Sequence, residues 1–483
     1  MTDLGSVCSL SPEMRMRSFV YVFVSSPEMK MRMRSFAAVS DEDEEFCICI
    51  CFFAGDEDED EEFCGYIIIY THAITEDISV IISTFDRFKK CLFYITFGPK
   101  IASATTFDVT LYNAIGDGIT DDTAAFVQAW GDLCADISEN PTLIIPSDKT
   151  FLIHCVAFAG PCKSSSSSIL IKLLGDITAP KSLVGWESCD TQGHLMYFRS
   201  VQGLTIAGPG QIDGQGSIWW GDGDVKLPIG PKFDRPSMLL FKNCDGLRLR
   251  GSRFVNSPKT HISISGCKGA DIQSPHISAP DYSPNTNGID ISWSSHINIH
   301  DSSIGSGGDC VAISGGAYDI NVTSIFCGPG HGISIGGLGK HSSYTAVEKV
   351  LVRQSYFTST QNGARIKTVP YGKGYARSIV FEHILLSNVK NPIIIDQHYC
   401  TNMSNADCHA PPNASSVQVS DVTYRDIHGS SASKQAIIFN CVGEFNCTGI
   451  VTDDVEVTGE GVFASCQNVH GDFTQTTPHI TCA

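Results

Sequence analysis

The sequence has no uninterrupted apolar stretch long enough to cross a bilayer, so it offers no candidate membrane span. Positive charge is scarce: 33 Lys and Arg stand against 52 Asp and Glu, a formal net charge of −19. A protein that tracks nucleic acid needs a basic face, so this balance argues against that class of partner. From Cys134 onward no Cys-x-x-Cys pair occurs and the histidines are scattered, which gives no zinc pattern. Clustered acidic calcium ligands are lacking too, and neither a metal nor a cofactor is expected. No secretory leader is visible, because the apolar segment 46–54 is too short and wrongly flanked for its core.

What is present is a polar motif series in phase with a β pattern. Asn285-Thr-Asn-Gly-Ile-Asp290, Gly305-Ser-Gly-Gly-Asp-Cys310, Cys327-Gly-Pro-Gly-His-Gly-Ile-Ser334 and Arg365-Ile-Lys367 follow in that order. Asn287 to Asp309 is 22 residues, and Asp309 to His331 is 22 again. Leu247 and Leu249, Ala270 and Ile272, Ile297 and Ile299, Ile320 and Val322, and Val350 and Val352 each open an alternating apolar run. Period-two alternation with Gly, Asn and Ser between runs means short strands and turns. If each interval is one coil of a parallel β-solenoid, equivalent residues stack at the strand spacing of roughly 4.8 Å. A β-sandwich also spaces short strands closely, but it would not set the polar motifs in phase. The fold expected is therefore all-β, a right-handed parallel β-helix.

The landmarks resemble a known family. Phe107-Asp-Val-Thr-Leu-Tyr-Asn-Ala-Ile-Gly-Asp-Gly-Ile-Thr-Asp-Asp122 with Ala129-Trp130 and Cys134, then Asp213-Gly-Gln-Gly216 with Trp219-Trp220, Arg235-Pro236, Asn256-Ser-Pro258 and His261, stand in the order seen in plant polygalacturonases of glycoside hydrolase family 28. The resemblance covers about 106–483. It implies a β-helix that cuts the α-1,4-galacturonan of pectin by inverting hydrolysis, in the cell wall. The family's usual centre is Asn-Thr-Asp, Gly-Asp-Asp, Gly-His-Gly and Arg-Ile-Lys, and here it is altered. Asn287 occupies the first aspartate position and Gly308 the second, while Asp309 is retained. By resemblance the Gly308 position carries the general acid, and the Asn287 and Asp309 positions hold the attacking water.

An inverting glycosidase needs one protonated and one ionised carboxyl, roughly 6.5–9.5 Å apart. Glycine supplies neither, and asparagine can bind water without taking its proton. Losing proton donation typically costs about 10² to 10⁴ in rate. Asp290 is a substitute carboxyl to consider: Ile289 and Ile291 alternate inward, which turns it outward toward the same cleft. A solvated outer-face residue or a turn anchor is its plainer reading. Sliding Asp309 into the acid position would reverse every side chain of the following strand, so that registration is rejected.

Arg365 and Lys367 flank an inward Ile366, giving two outward cations placed for substrate carboxylates. The resemblance adds Asn285 and Tyr399 as substrate contacts and His331 as a catalytic-site residue. Tyr399 is equally readable as a cap on the core. Since the net charge opposes nonspecific attraction to anionic pectin, binding has to rely on a local cationic groove of Arg365, Lys367, His331 and Lys340. The alternative function is a non-catalytic pectin-binding protein, the product of a decaying duplicate; a calcium-assisted lyase is contradicted by the hydrolase landmarks. The expected partner is the polysaccharide, with the protein a monomer.

Fourteen cysteines lie from Cys134 onward, with close pairs at Cys310 and Cys327, Cys400 and Cys408, Cys441 and Cys447, and Cys466 and Cys482. Such usage suggests disulfides and a secreted setting, as do sequons at Asn321, Asn402, Asn413 and Asn446. Residues 1–105 differ. The segment 11–19 recurs as 26–36 and the acidic block 41–47 recurs as 56–64, a local low-complexity duplication. Such blocks are expected to stay solvated and extended, and residues 1–105 read as a low-complexity acidic extension that is disordered or a misassigned start.

Overall fold

The computed structural model describes residues 105–483 apart from 165–167, 190–192, 222–234, 341–342, 401–416 and 444–446; before residue 105 it describes the backbone of six strands. Two compact units result, Met1–Ser103 and Ala104–Ala483. In the first, Arg15–Ser18, Arg32–Ser40, Glu45–Ala54 and Glu61–Tyr70 pair antiparallel in sequence order, and Ile78–Ser83 pairs antiparallel with Leu92–Phe97. The side chains of this unit lie outside the described residues, and with them the expectation that the extension stays solvated.

The second unit is a right-handed parallel β-helix. Its strands form a 19-stranded and an 11-stranded sheet, and all pairings within both are parallel. The alternating runs of the sequence stack partner on partner: Leu249 pairs with Ile272, Ile272 with Ile299, Ile299 with Val322 and Val322 with Val352. All are buried. The long strands of this larger sheet turn a corner at single left-handed residues. Asp301, Ser324, Gln354, His383 and Asp426 stack there with φ between 49° and 56°.

The smaller sheet positions the site. Ile289–Ser292, Val311–Ile313, Ile333–Leu338, Asn362–Thr368 and Asn391–Asp396 lie side by side. Ile291, Ile313, Ile335, Ile366 and Ile395 form an unbroken inward column. Because the side-chain period is two, that column fixes Asp290, Ala312, Ser334 and Arg365 as the outward neighbours.

A helix, Thr123–Ala135, covers the N-terminal end of the coil stack with Phe126, Ala129, Trp130 and Leu133 buried. Trp130 lies 5.0 Å from the ring of Phe158, which begins a stack with Phe198 and Phe241. The helix is tied down by a disulfide, Cys134–Cys162, which the sequence reading had not paired. Cys310–Cys327, Cys441–Cys447 and Cys466–Cys482 are bonded as expected; Cys408 lies outside the described residues. Cys244 and Cys267 are free and buried on adjacent coils, where they act as small core groups. Asn321 is half-buried and its amide donates to Asn298 within a polar ladder on the sheet, so this sequon does not sit on an open loop. The other three sequons lie outside the described residues. Among the described residues no helix is long and apolar enough to cross a membrane.

Since the inward column carries the register, truncating one member opens a cavity that parallel neighbours cannot fill. Ile313→Ala is expected to lower stability by about 2–5 kcal/mol. Leu385→Ala, at a side chain 57% exposed, is expected to change it by no more than about 0.5 kcal/mol. Urea unfolding of the two variants checks the contrast.

Candidate active-site cleft

Register places Asn287, Asp309 and His331 at equivalent points, each two residues before a paired strand residue: Ile289, Val311 and Ile333. Direct contacts confirm that these turns stack. The Asp309 N–H donates to Asn287 Oδ1 at 2.9 Å, and the His331 N–H donates to the Gly308 carbonyl at 2.6 Å.

Asp309 is the hub. Its Oδ1 accepts from Arg365 Nη2 at 2.6 Å and from the Ser334 hydroxyl at 2.9 Å, and its Oδ2 accepts from Lys367 Nζ at 2.8 Å. Arg365 Nε also donates to Ser334 Oγ at 2.7 Å, closing a ring of contacts. All members are buried: Asp309 is 4% exposed, Arg365 9% and Lys367 7%. Burial pushes the Asp309 carboxyl upward, but the Arg365 and Lys367 cations and the hydrogen bonds from Lys367 and Ser334 outweigh it and hold it below the usual range. The cations therefore differ from the sequence expectation of two groups waiting in the open for substrate. Each already holds Asp309, with guanidinium and ammonium donors left over.

Asn287 is a bridge. Its carbonyl oxygen accepts from Asp309, and its Nδ2 donates to Asp290 Oδ1 at 2.8 Å. His261 fixes the turn from beneath, with Nδ1 2.9 Å from the Asn287 carbonyl. Burial depresses the His261 pKa to about 4, which keeps that ring neutral. Asp290 is neither solvated nor a simple turn anchor. The Thr260 hydroxyl donates to its Oδ2 at 2.8 Å, and the carboxyl is half-buried. Burial raises its pKa against the pull of the Asn287 and Thr260 hydrogen bonds, and the Asp309 charge adds to the rise.

Gly308 is crowded. A Cβ there would lie 2.3 Å from Asn287 Oδ1 and 2.7 Å from the Asn287 backbone nitrogen. The obstacle to an aspartate here is a close backbone approach; Gly308 does not occupy the left-handed region.

His331 is half-buried, and burial lowers its pKa, with Asp309 opposing and both cations reinforcing. It also borders a cavity of about 360 Å³ lined by Gln361, Asn388 and Lys390 among others. Tyr399 is no core cap: its half-buried ring lies 5.2 Å from Lys367 Nζ. Asn285 stands exposed at the rim in a left-handed conformation, and Lys340 is exposed with its Cε beside Gly337. Sequence reasoning passed over Thr260 and Ser334, which hold the two carboxyls. Period-two alternation from Ile333 was the signal that Ser334 faces the cleft. Away from the cleft, Asp426, His428 and Asp454 bring potential metal-ligand atoms within 4.8 Å of one another; His428 and His383 both pair with Asp426, at 2.8 and 2.5 Å.

Comparison with known proteins gives a consistent family. The model for glycosyl hydrolases family 28 matches residues 134–479. A probable polygalacturonase of Arabidopsis thaliana is 40% identical over 396 residues, covering 81% of this chain and 83% of its own length. A polygalacturonase of Persea americana is 37% identical over 375 residues, 77% of this chain and 79% of its own. Among solved structures, an endo-xylogalacturonan hydrolase of Aspergillus tubingensis aligns with a TM-score of 0.63 at 22% identity, over 78% of this chain and 99% of that one. A polygalacturonase of Erwinia carotovora gives 0.60 at 23%, over 76% and 96%. These two likenesses show the shared fold.

Removing the hub charge strands two buried cations. Asp309→Asn is expected to destabilise the fold by about 3–5 kcal/mol. The pH dependence follows from the lowered pKa: the stabilisation by Asp309 is complete above its unfolded value of about 3.9 and is lost as pH falls through the folded value. Denaturant midpoints measured from pH 7 to pH 2 should show that acid loss in the parent and not in Asp309→Asn.

Proposed function

The chain belongs to glycosyl hydrolases family 28, and from that premise we propose that its cleft takes the α-1,4-galacturonan of pectin and cleaves it by inverting displacement, slowly, because Asn287 and Gly308 have replaced two carboxyls. The observation that carries this reading is the buried hub: one carboxylate shared by two cations on an outward sheet face. With Asp309 ionised, Asp309, Arg365 and Lys367 together leave one positive charge in excess. In a chain of net charge −19, that local excess is what draws an anionic sugar into the cleft.

The unused donors of Arg365 and Lys367 hold a galacturonate carboxylate, and Tyr399 offers a ring face beside Lys367. Asp309 orients water and receives its proton. The remaining N–H of Asn287 steadies that water without accepting a proton. Gly308 itself brings no acid to the leaving oxygen, and cleavage with no proton donor at all is slower by about 10² to 10⁴. Disulfides throughout the β-helix support a secreted, cell-wall setting; a monomer suffices, because the hub is assembled within one chain. A second reading, a pectin-binding protein without turnover, is favoured by the crowding at Gly308.

Reducing-end release from polygalacturonate separates the two readings: slow release supports the hydrolase, and retained binding without product supports the binding protein. Where no other carboxyl protonates the leaving oxygen, restoring both carboxyls, Gly308→Asp with Asn287→Asp, raises turnover by at least about 10². The same variant should lose about 1–3 kcal/mol of stability, because the new Cβ meets backbone. A double variant that folds and binds yet stays inert would place the defect elsewhere in the groove.

A further inference from the structure

The cleft lacks its expected donor at Gly308, yet a second carboxyl stands one side chain away from that position. Asn287 Oδ1 is 2.3 Å from where a Gly308 Cβ would sit, and Nδ2 of the same amide donates to Asp290 Oδ1 at 2.8 Å. Asp290 thus approaches the vacated site across a single amide. The outward column Asp290, Ala312, Ser334, Arg365 places it two strands from Ser334, whose hydroxyl holds Asp309. Two strand spacings are roughly 9–10 Å, of the same order as the ~6.5–9.5 Å that inverting chemistry uses. Between them Ala312 offers only a methyl group.

We infer that Asp290 is the proton donor to the leaving sugar oxygen in this chain, taking over from the carboxyl absent at Gly308. The inference deepens the galacturonan-hydrolase reading and rests on it. The groups facing Asp290 act in both directions: Asn287, Thr260 and Lys367 favour its ionised form, and burial with the Asp309 charge, which prevails, favours the protonated one. Thr260 and Asn287 hold its two oxygens, Asp309 is the neighbouring anion, and Lys367 is the weakest of these influences. Burial and the Asp309 charge favour the protonated form of Asp290, while Arg365 and Lys367 favour the ionised form of Asp309. Two carboxyls whose surroundings push them apart in this way divide the acid and base roles between them.

In the step, the Asp290 carboxyl proton moves to the glycosidic oxygen as the bond from that oxygen to the anomeric carbon breaks and its electrons pass to oxygen. Water attacks the anomeric carbon from the opposite face, and its proton passes to Asp309. The products are an alcohol end and an inverted reducing end. Solvent then returns the proton to Asp290 and removes one from Asp309. Because the donor must be protonated, activity falls as pH rises through the raised Asp290 value.

The test compares Asp290→Asn with the parent on polygalacturonate and on an aryl galacturonide whose phenolate leaves without protonation. The variant is expected to lose about 10² to 10⁴ on the polymer and less than about tenfold on the aryl substrate. Polymer binding should persist, and the alkaline limb of the parent's pH profile should disappear. Equal losses on both substrates would mean a structural role and overturn the inference. So would unchanged polymer cleavage, a retained alkaline limb, or the same substrate asymmetry in Asp396→Asn, the other half-buried carboxyl of this sheet raised by burial. A parent that binds polygalacturonate but never cleaves it overturns the donor role and leaves the binding reading standing; a parent that neither binds nor cleaves removes both.

Discussion

Two cations buried beside each other on one sheet face repel, and nothing in the packing of the β-helix would hold them there without Asp309 between them. Its two oxygens are divided between Arg365 and Lys367, and Ser334 ties the carboxylate to the guanidinium. Ionised groups so far from solvent are tolerated only when paired and hydrogen-bonded. The aspartate therefore serves the structure before it serves any chemistry. It also sets the electrostatics of its surroundings: its charge raises the Asp290 carboxyl and opposes the depression of the His331 pKa.

The scaffold that makes this hub possible is a matter of register. Ile291, Ile313, Ile335 and Ile366 face inward one above another, so the residues before and after them must face out. That much was legible from period-two alternation and the repeated 22-residue intervals. The outward placement of Arg365 and Lys367 and the neighbourhood of Asn287, Asp309 and His331 follow from it. What the alternation could not convey is what outward groups do to one another. Whether a cation faces solvent or a neighbouring carboxylate depends on lateral distances between coils, which is why Arg365 and Lys367 read as open ligand groups and prove to be paired.

Asp290 illustrates the same gap from the other side. Its direction was legible, but its partners Thr260 and Asn287 come from different coils and different turns. Cysteine pairing had a comparable limit. Short separations such as that of Cys441 and Cys447 suggested bonds that exist, whereas Cys134 reaches Cys162 only because the Thr123–Ala135 helix lies over the end of the stack. Cys244 and Cys267, despite an even total, remain thiols in the core.

The two altered positions are physically one alteration. Gly308 lies against Asn287, so that a side chain at 308 collides with the amide oxygen and the backbone of 287. Asn287 in turn uses that oxygen for the Asp309 N–H and its amide nitrogen for Asp290. An aspartate at 287 would replace the Asp290 contact with two carboxylate oxygens facing each other, which is bearable only if Asp290 keeps its proton. Residues that share a partner in this way do not contribute independently. Glycine at 308 lets the two turns close, asparagine at 287 seals them to each other and to Asp290, and the carboxyl that results is held beside Asp309 with its proton favoured by burial. The absence of a side chain at 308 and the anchoring of Asp290 by Asn287 both follow from the same close approach between adjacent turns.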